Sequence, residues 1–179
     1  GYKFFVNKIW NATKFSLMNL EDYPGGAVQV NQTDESLPDR WIKSRMNKII
    51  DDVAKGIDEY RYNDAAMSLY QFIWHELCDW YLELSKSVLY GKESAGGKLA
   101  AQHSLYIVLK TSLQLLHPFM PFLTEEIWQT LVDDGTSIMV SEFPKPASQY
   151  DDAAAEEHME IIMAFITKIR NIRAEMGLP

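Results

Sequence analysis

Apolar side chains recur every three or four positions along almost the whole chain, the period of helices with one buried face. In residues 1–20, Val6, Ile9, Thr13, Leu17 and Leu20 fall on one side. From Leu37 the series Trp41, Ile42, Met46, Ile49, Val53 and Ile57 predicts a second helix. Ser36 and Asp39 stand at capping-box spacing before it, and Pro38 is tolerated in its first turn. Gly56 weakens its last turn only modestly. A third helix is expected from an N-cap near Asn63, through Leu69, Tyr70, Ile73, Leu77, Trp80 and Leu84, to about Leu89. "GKESAGG" interrupts the pattern, and a fourth helix carries Leu99, Leu105, Val108, Leu109, Leu113 and Leu116.

The two prolines of "HPFMPF" make a tight corner, because a proline inside a helix removes a hydrogen bond. A short helix over "LTEEIWQTLV" follows, then a short extended piece, "SIMVSEF", within residues 135–150. The last helix places Ile162, Phe165, Ile166, Ile169, Ile172 and Met176 on one stripe. These elements read as an all-α antiparallel bundle of about six helices, since short connections favour neighbours running in opposite directions. There is no internal repeat, and the longest irregular stretches are 21–36 and 135–150.

Composition narrows the functional classes. The 179 residues are 47% apolar, enough for one core. A net charge of -8 and a pI near 5.0 disfavour non-specific binding to DNA or RNA, which draws on a broad basic face. Any nucleic-acid contact must come from a local patch. The single cysteine, Cys78, excludes an internal disulfide and fits a reducing compartment. No apolar run approaches a membrane span, and no signal peptide is visible. The chain opens at Gly1 with an amphipathic pattern already running and closes at "AEMGLP", so a fragment cut at both ends is expected.

Candidate catalytic groups are sparse. "HELCD" has His75 and Asp79 four apart, where a zinc-protease helix would need a second histidine, and no third ligand is evident. His117 has no partnered nucleophile or acid nearby in sequence, and His103 and His158 carry no signal. "GKESAGG" lacks the ending of a phosphate-binding loop. Cys78 lies among apolar and acidic residues, which raise a thiol pKa rather than activate it. No catalytic constellation and no metal site is expected.

Recognition remains. "NKIWNATKFSLMN", residues 7–19, contains two lysines and no carboxylate in an otherwise acidic chain. On a helical wheel Lys3, Asn7, Asn11, Lys14 and Met18 share one face, flanked by Phe4, Lys8 and Phe15. Lysines neutralise phosphates, asparagine amides offer a donor and an acceptor to base edges, and Phe15 could stack on an unpaired base. A solvated face would have the same composition. Two further basic clusters, Arg40, Lys43, Arg45 and Lys48, and Lys168, Arg170 and Arg173, are open to the same two readings.

Together these segments resemble a family. "NKIWNATKFSLMN" is similar to the opening of the anticodon-binding helical domain of valyl-tRNA synthetases. "DRWIKSRMN" at 39–47, "YQFIWHELCDWYLELSK" at 70–86 and "HPFMPFLTEEIWQTL" at 117–131 resemble its later landmarks, and "IRNIRAEMGLP" at 169–179 its end. The middle segments are shared in looser form by isoleucyl and leucyl enzymes, whereas the first and last favour valine. The family's adenylate-forming signatures, His-Ile-Gly-His and Lys-Met-Ser-Lys-Ser, are absent, and so are its editing domain and C-terminal coiled coil.

The resemblance implies that residues 1–179 form a single anticodon-binding domain of a cytoplasmic enzyme that attaches valine to tRNA-Val using ATP and magnesium. The fragment itself would need no cofactor and would be non-catalytic. The implied partners are the anticodon stem-loop and the other domains of the same synthetase, with no DNA and no membrane, in a monomer. Asn7, Asn11, Lys14 and Phe15 would face the loop, with Lys3, Lys8 and Arg45 as phosphate contacts. Lys14 stands where many relatives carry arginine, which loses the planar bidentate fork. Asp151, Asp152, Glu156 and Glu157 would place acidic charge elsewhere and help orient the RNA. The competing classes are a protein-interaction scaffold, which predicts an apolar patch away from the first helix, and a metal-dependent enzyme built on His75 and Asp79.

Overall fold

The structure, a computed structural model, describes residues 2–25, 28–91, 94–132 and 135–177. Gly1, Lys92 and Glu93 of the "GKESAGG" break, and the terminal Leu178 and Pro179 lie outside the described residues. Six helices follow in order: α1 (Tyr2–Asn19), α2 (Leu37–Asp58), α3 (Tyr62–Gln71, running on through Phe72–Tyr81 and Leu82–Leu89), α4 (Ala95–Leu116), α5 (Pro121–Leu131) and α6 (Ala153–Glu175). There is no strand among the described residues. None of their helices is long and apolar enough to cross a membrane. "SIMVSEF" is therefore not extended: Ile138–Val140 is a single 3-10 turn, with Ile138 buried and Met139 and Val140 exposed.

Helix α2 is the centre of the bundle, in contact with α3, α4 and α6. Its start is the expected capping box: the Ser36 and Asp39 side chains each accept from the other's backbone N–H. Asp39 is also buried, and the Tyr81 hydroxyl of α3 donates to its Oδ1 at 2.8 Å. Burial pushes the Asp39 carboxyl above its ordinary value, against the hydrogen bonds from Ser36 and Tyr81.

The far end of α2 closes in a Schellman turn. The Arg61 N–H donates to the Gly56 carbonyl at 2.7 Å and the Tyr60 N–H to the Ile57 carbonyl at 3.1 Å. Tyr60 occupies the left-handed position (φ 58°) that glycine usually takes. Helix α3 then starts at Tyr62, one residue before the expected Asn63 cap, without a side-chain cap. Gly56 does more than weaken a turn. A Cβ there would lie 2.8 Å from the Ala65 Cβ, so its absence lets α2 and α3 close on each other.

In α3, Leu69, Ile73, Leu77, Tyr81, Ser85 and Leu89 are all buried, each four residues after the last. An α-helix with about 3.6 residues per turn would rotate such a series off its face by about 40° a step. The helix widens instead over Phe72–Tyr81, where the Leu82 N–H reaches back five residues to the Leu77 carbonyl. The wider turn slows the rotation and keeps the series pointed inward.

Helix α6 is joined to α2 by polar side chains. Asp152 caps α6 through the Ala155 N–H at 2.8 Å and pairs with Arg40 at 3.0 Å. Asn47 bridges Asp151 (2.6 Å) and the Ala147 N–H (2.7 Å). Glu156 receives the Ser44 hydroxyl and the Lys48 ammonium, both at 2.5 Å. Asp151, Asp152 and Glu156 are therefore docking groups rather than a free acidic field. Beyond them the expected core stripe of α6, Ile166 apart, stays in solvent: Ala155 and Met159 are the buried residues of the helix, Ile166 is half-buried, and Phe165 is 64% exposed.

Two outcomes follow. Gly56→Ala lowers the thermal midpoint, because overpacking at about 1–3 kcal/mol exceeds the gain of about 1 kcal/mol in helix propensity; calorimetry reads the difference. Burial raises the Glu156 carboxyl, but Lys48, Ser44 and Arg45 outweigh it and hold it below its ordinary value. Its stabilisation is present above the unfolded carboxylate pKa of about 4.3 and is lost as pH falls through the lower folded value. Glu156→Gln is accordingly less stable than wild type at neutral pH, and the two melting curves converge in acid.

Candidate nucleic-acid interface

Helix α1 lies against the wide turn of α3, against α4 and against α5. Its buried line is Phe5, Ile9, Ala12, Thr13, Ser16 and Asn19, rotated from the expected series because Phe5 is drawn into an aromatic stack. The Phe5 ring lies 4.9 Å from Tyr70 and 6.3 Å from Trp74. At the other end the Asn19 side-chain amide donates to the Tyr90 hydroxyl at 3.0 Å, and the Asn19 backbone carbonyl accepts from the Gln102 amide at 2.8 Å. Both ends are held, so the outer face is presented on a fixed helix.

That outer face carries Lys3, Phe4, Asn7, Trp10, Asn11, Lys14 and Met18, all exposed. Lys3, Asn7, Asn11 and Lys14 make no side-chain hydrogen bond or ion pair among the described residues. Two aromatic rings stand among them, Phe4 at 68% exposure and Trp10 at 41%. No carboxylate occurs between residues 2 and 19. The face thus offers free cations, free amides and uncovered rings on one rigid surface, which is what an unpaired, negatively charged strand requires. Trp10 was missed on the wheel; its spacing of three from Asn7 and four from Lys14 was the available signal.

Three expected site residues are committed elsewhere. The Lys8 ammonium pairs with Asp79 and sits 4.1 Å over the Trp74 ring. Arg45 makes a two-pronged contact with Glu76, at 2.7 and 2.9 Å, and reaches Glu156 at 3.5 Å. The Glu76 carboxylate holds its guanidinium above the ordinary value. Phe15 is half-buried, edge-on to Tyr90 at 6.3 Å, with the Lys86 ammonium 5.7 Å from its ring. Lys8 and Arg45 are therefore paired with protein carboxylates, and Phe15 belongs to the packing that anchors α1. The rest of the α2 cluster is likewise neutralised: Arg40 by Asp152, Lys43 by Glu35 and Lys48 by Glu156. A polar cleft of about 830 Å³, lined by Gln29, Asn31, Arg40, Lys43, His103 and Tyr150 among others, opens beside that cluster, with its cations already paired.

Three of the four histidines have structural partners, and His158 is exposed on α6. His75 Nδ1 lies 3.2 Å from Asp79, which Lys8 also engages. His117 bonds to the Thr124 hydroxyl at 2.7 Å across the proline corner, and His103 to Tyr23 at 2.8 Å. Among the described residues no three His, Cys, Asp or Glu side chains are placed to hold one ion. Burial pushes the Cys78 thiol up to about 12, which leaves it inert as a nucleophile at neutral pH.

The helical bundle and this outward face define a class. Residues 39–179 match the family described as anticodon-binding domain of tRNA ligase, and the chain belongs to that family. Its curated relatives include the valine–tRNA ligases of Carboxydothermus hydrogenoformans, 49% identical over all of this chain, and of Geobacter sulfurreducens, 50% identical over 99% of it. That of Pseudothermotoga lettingae is 46% identical over 99%. The chain spans about a fifth of the length of each of these relatives. Helix α1 precedes the segment matched by the family model but lies within the stretch aligned with the ligase of Carboxydothermus hydrogenoformans.

The division between free and committed cations is measurable in stability. Lys14→Ala leaves the unfolding free energy unchanged, whereas Arg45→Ala lowers it by about 1–3 kcal/mol, because Glu76 loses a charge-assisted pair. Denaturant titration of both variants distinguishes them.

Proposed function

We propose that this chain is the bundle that recognises the tRNA anticodon stem-loop in a valine–tRNA ligase, an enzyme that attaches valine to its tRNA at the expense of ATP. The observation that carries the reading is the outer face of α1, where Lys3, Asn7, Asn11 and Lys14, without a side-chain partner among the described residues, stand beside exposed Phe4 and Trp10. Family membership and the similarity to valine–tRNA ligases support it over the isoleucyl or leucyl alternative and over an RNA-indifferent scaffold.

An anticodon loop splays unpaired bases with their Watson–Crick edges open. In this reading Asn7 and Asn11 read base edges, Lys14 and Lys3 neutralise the loop phosphates, and Trp10 or Phe4 stacks under a base. Phe15, Lys8 and Arg45 act indirectly, by holding the helices that carry the readers. Residues 1–179 serve as one domain, whose partners are tRNA and the other domains of the same cytoplasmic, monomeric synthetase. Valine activation and editing belong to the remaining polypeptide, where ATP and magnesium would act.

The test is a low-salt titration with a short stem-loop bearing a valine anticodon, against the same loop with its second and third anticodon bases changed. The valine loop binds more tightly. Lys14→Ala weakens both loops and lowers the salt slope by about one ion. Asn11→Ala narrows the difference between loops, and Trp10→Ala loses about 1–3 kcal/mol of stacking on either. Equal binding of both loops by wild type, with all three variants indistinguishable from it, would show that this face is not the reader.

A further inference from the structure

The exposed stripe on α6 is an apolar feature that anticodon recognition leaves unused. The bundle-facing side of the helix runs through Ala155, Met159, Met163 and Ile166 to Arg170, whose guanidinium lies 5.2 Å over the Trp80 ring. About a quarter turn round the same helix, Ile161, Ile162, Phe165, Ile169, Ile172 and Met176 form a second line. All six are exposed, Ile172 at 54%. Contiguous apolar surface of this kind on a folded domain marks a contact.

We infer that α6 is shared between two cores: its first half belongs to this bundle, and the Ile161–Met176 stripe is the docking surface for another domain of the same polypeptide. Three observations select that occupant. The relatives that contain this whole helix are about five times as long as the chain, so a further domain is available in the same molecule. The stripe is wider than the two-position seam of a coiled coil, because Ile161 beside the Ile162–Met176 series broadens it to about 100°, the width that a helix presents to a globular core. Lys168 and Arg173 border it on its two edges and pair with no acid among the described residues. A second copy of this chain would bring the same two cations to the same rim, whereas an apolar face edged by carboxylates would neutralise them. The contact rests on the reading of the chain as part of a longer ligase, but not on what α1 binds, so it can fail while the stem-loop titration succeeds, and the reverse.

Thiol labelling of the full-length polypeptide, followed peptide by peptide by mass spectrometry, tests it. Cysteine replaces Ile169 or Phe165 on the stripe, or Asn171 on the opposite side of α6; Cys78 is half-buried, and its raised thiol pKa makes it slow to react. In the 179-residue chain all three positions label at similar rates. In the full-length protein Ile169→Cys and Phe165→Cys slow by at least roughly tenfold while Asn171→Cys does not. Hydrogen exchange of residues 160–177 in unsubstituted protein, slower in the full-length form than in the short chain, supplies the same answer without a cysteine at the contact. Equal rates in both forms overturn the proposal. Protection that grows with the concentration of the short chain assigns the stripe to a second copy, and protection that appears only with tRNA assigns it to RNA; either result overturns it as well.

Discussion

The inner face of helix α2 is buried together with four polar side chains, which must be satisfied inside the protein. Asp39, Lys43, Ser44 and Asn47 are all buried, and a buried polar group without a partner costs a large share of the stability of a small domain. The partners come from several neighbouring elements: Tyr81 from α3, Glu35 from the loop before α2, and Asp151, Asp152 and Glu156 from the approach to α6 and its first turn. These bonds are directional, so they set where α6 starts and how α3 lies, where hydrophobic burial alone would leave both free to slide.

The same requirement determines where free charge survives. A chain with a net charge of -8 has acids enough to neutralise most of its cations. The α2 cluster meets them at once, because α2 lies under the acidic approach to α6. Helix α1 is remote from that set. Asp79, the acid that reaches it, takes Lys8, and Lys3 and Lys14 are left to solvent. A positive surface in an acidic protein thus arises by exclusion of local carboxylates. Such a surface favours a polyanion that contacts it at a few points over one that needs a broad basic field.

Helix α6 expresses the complementary case. Its first half is held by polar bonds, and its second half keeps an apolar side uncovered. Both surfaces of interest therefore lie on terminal helices of the bundle, α1 and α6, while the four helices between them form a scaffold that keeps each in place. An apolar patch away from α1 was the expectation for a protein-interaction scaffold. Its presence beside a free basic face means that the two kinds of contact divide between two helices.

Much of this was legible in the residues alone. Six helices, the capping box at Ser36 and Asp39, the proline corner and the polar face of α1 all follow from local periodicity and from backbone chemistry that acts within one turn. The family was legible as well, because its landmarks are short contiguous segments. The series of four in α3 was equally open to reading and signalled a widened turn. What the sequence left open depends on residues far apart along the chain. Arg45 and Lys14 are both basic positions on helices, and only the placement of Glu76, thirty-one residues from Arg45, separates a structural cation from a free one. Gly56 reads as a mild defect until Ala65 is placed against it. The stripe of α6 reads as core, since periodicity shows that a face is apolar and not whether anything covers it. Local pattern determines which helices form and which faces they own; the tertiary fold decides which faces are used, because burial and charge pairing are settled between elements and not within them.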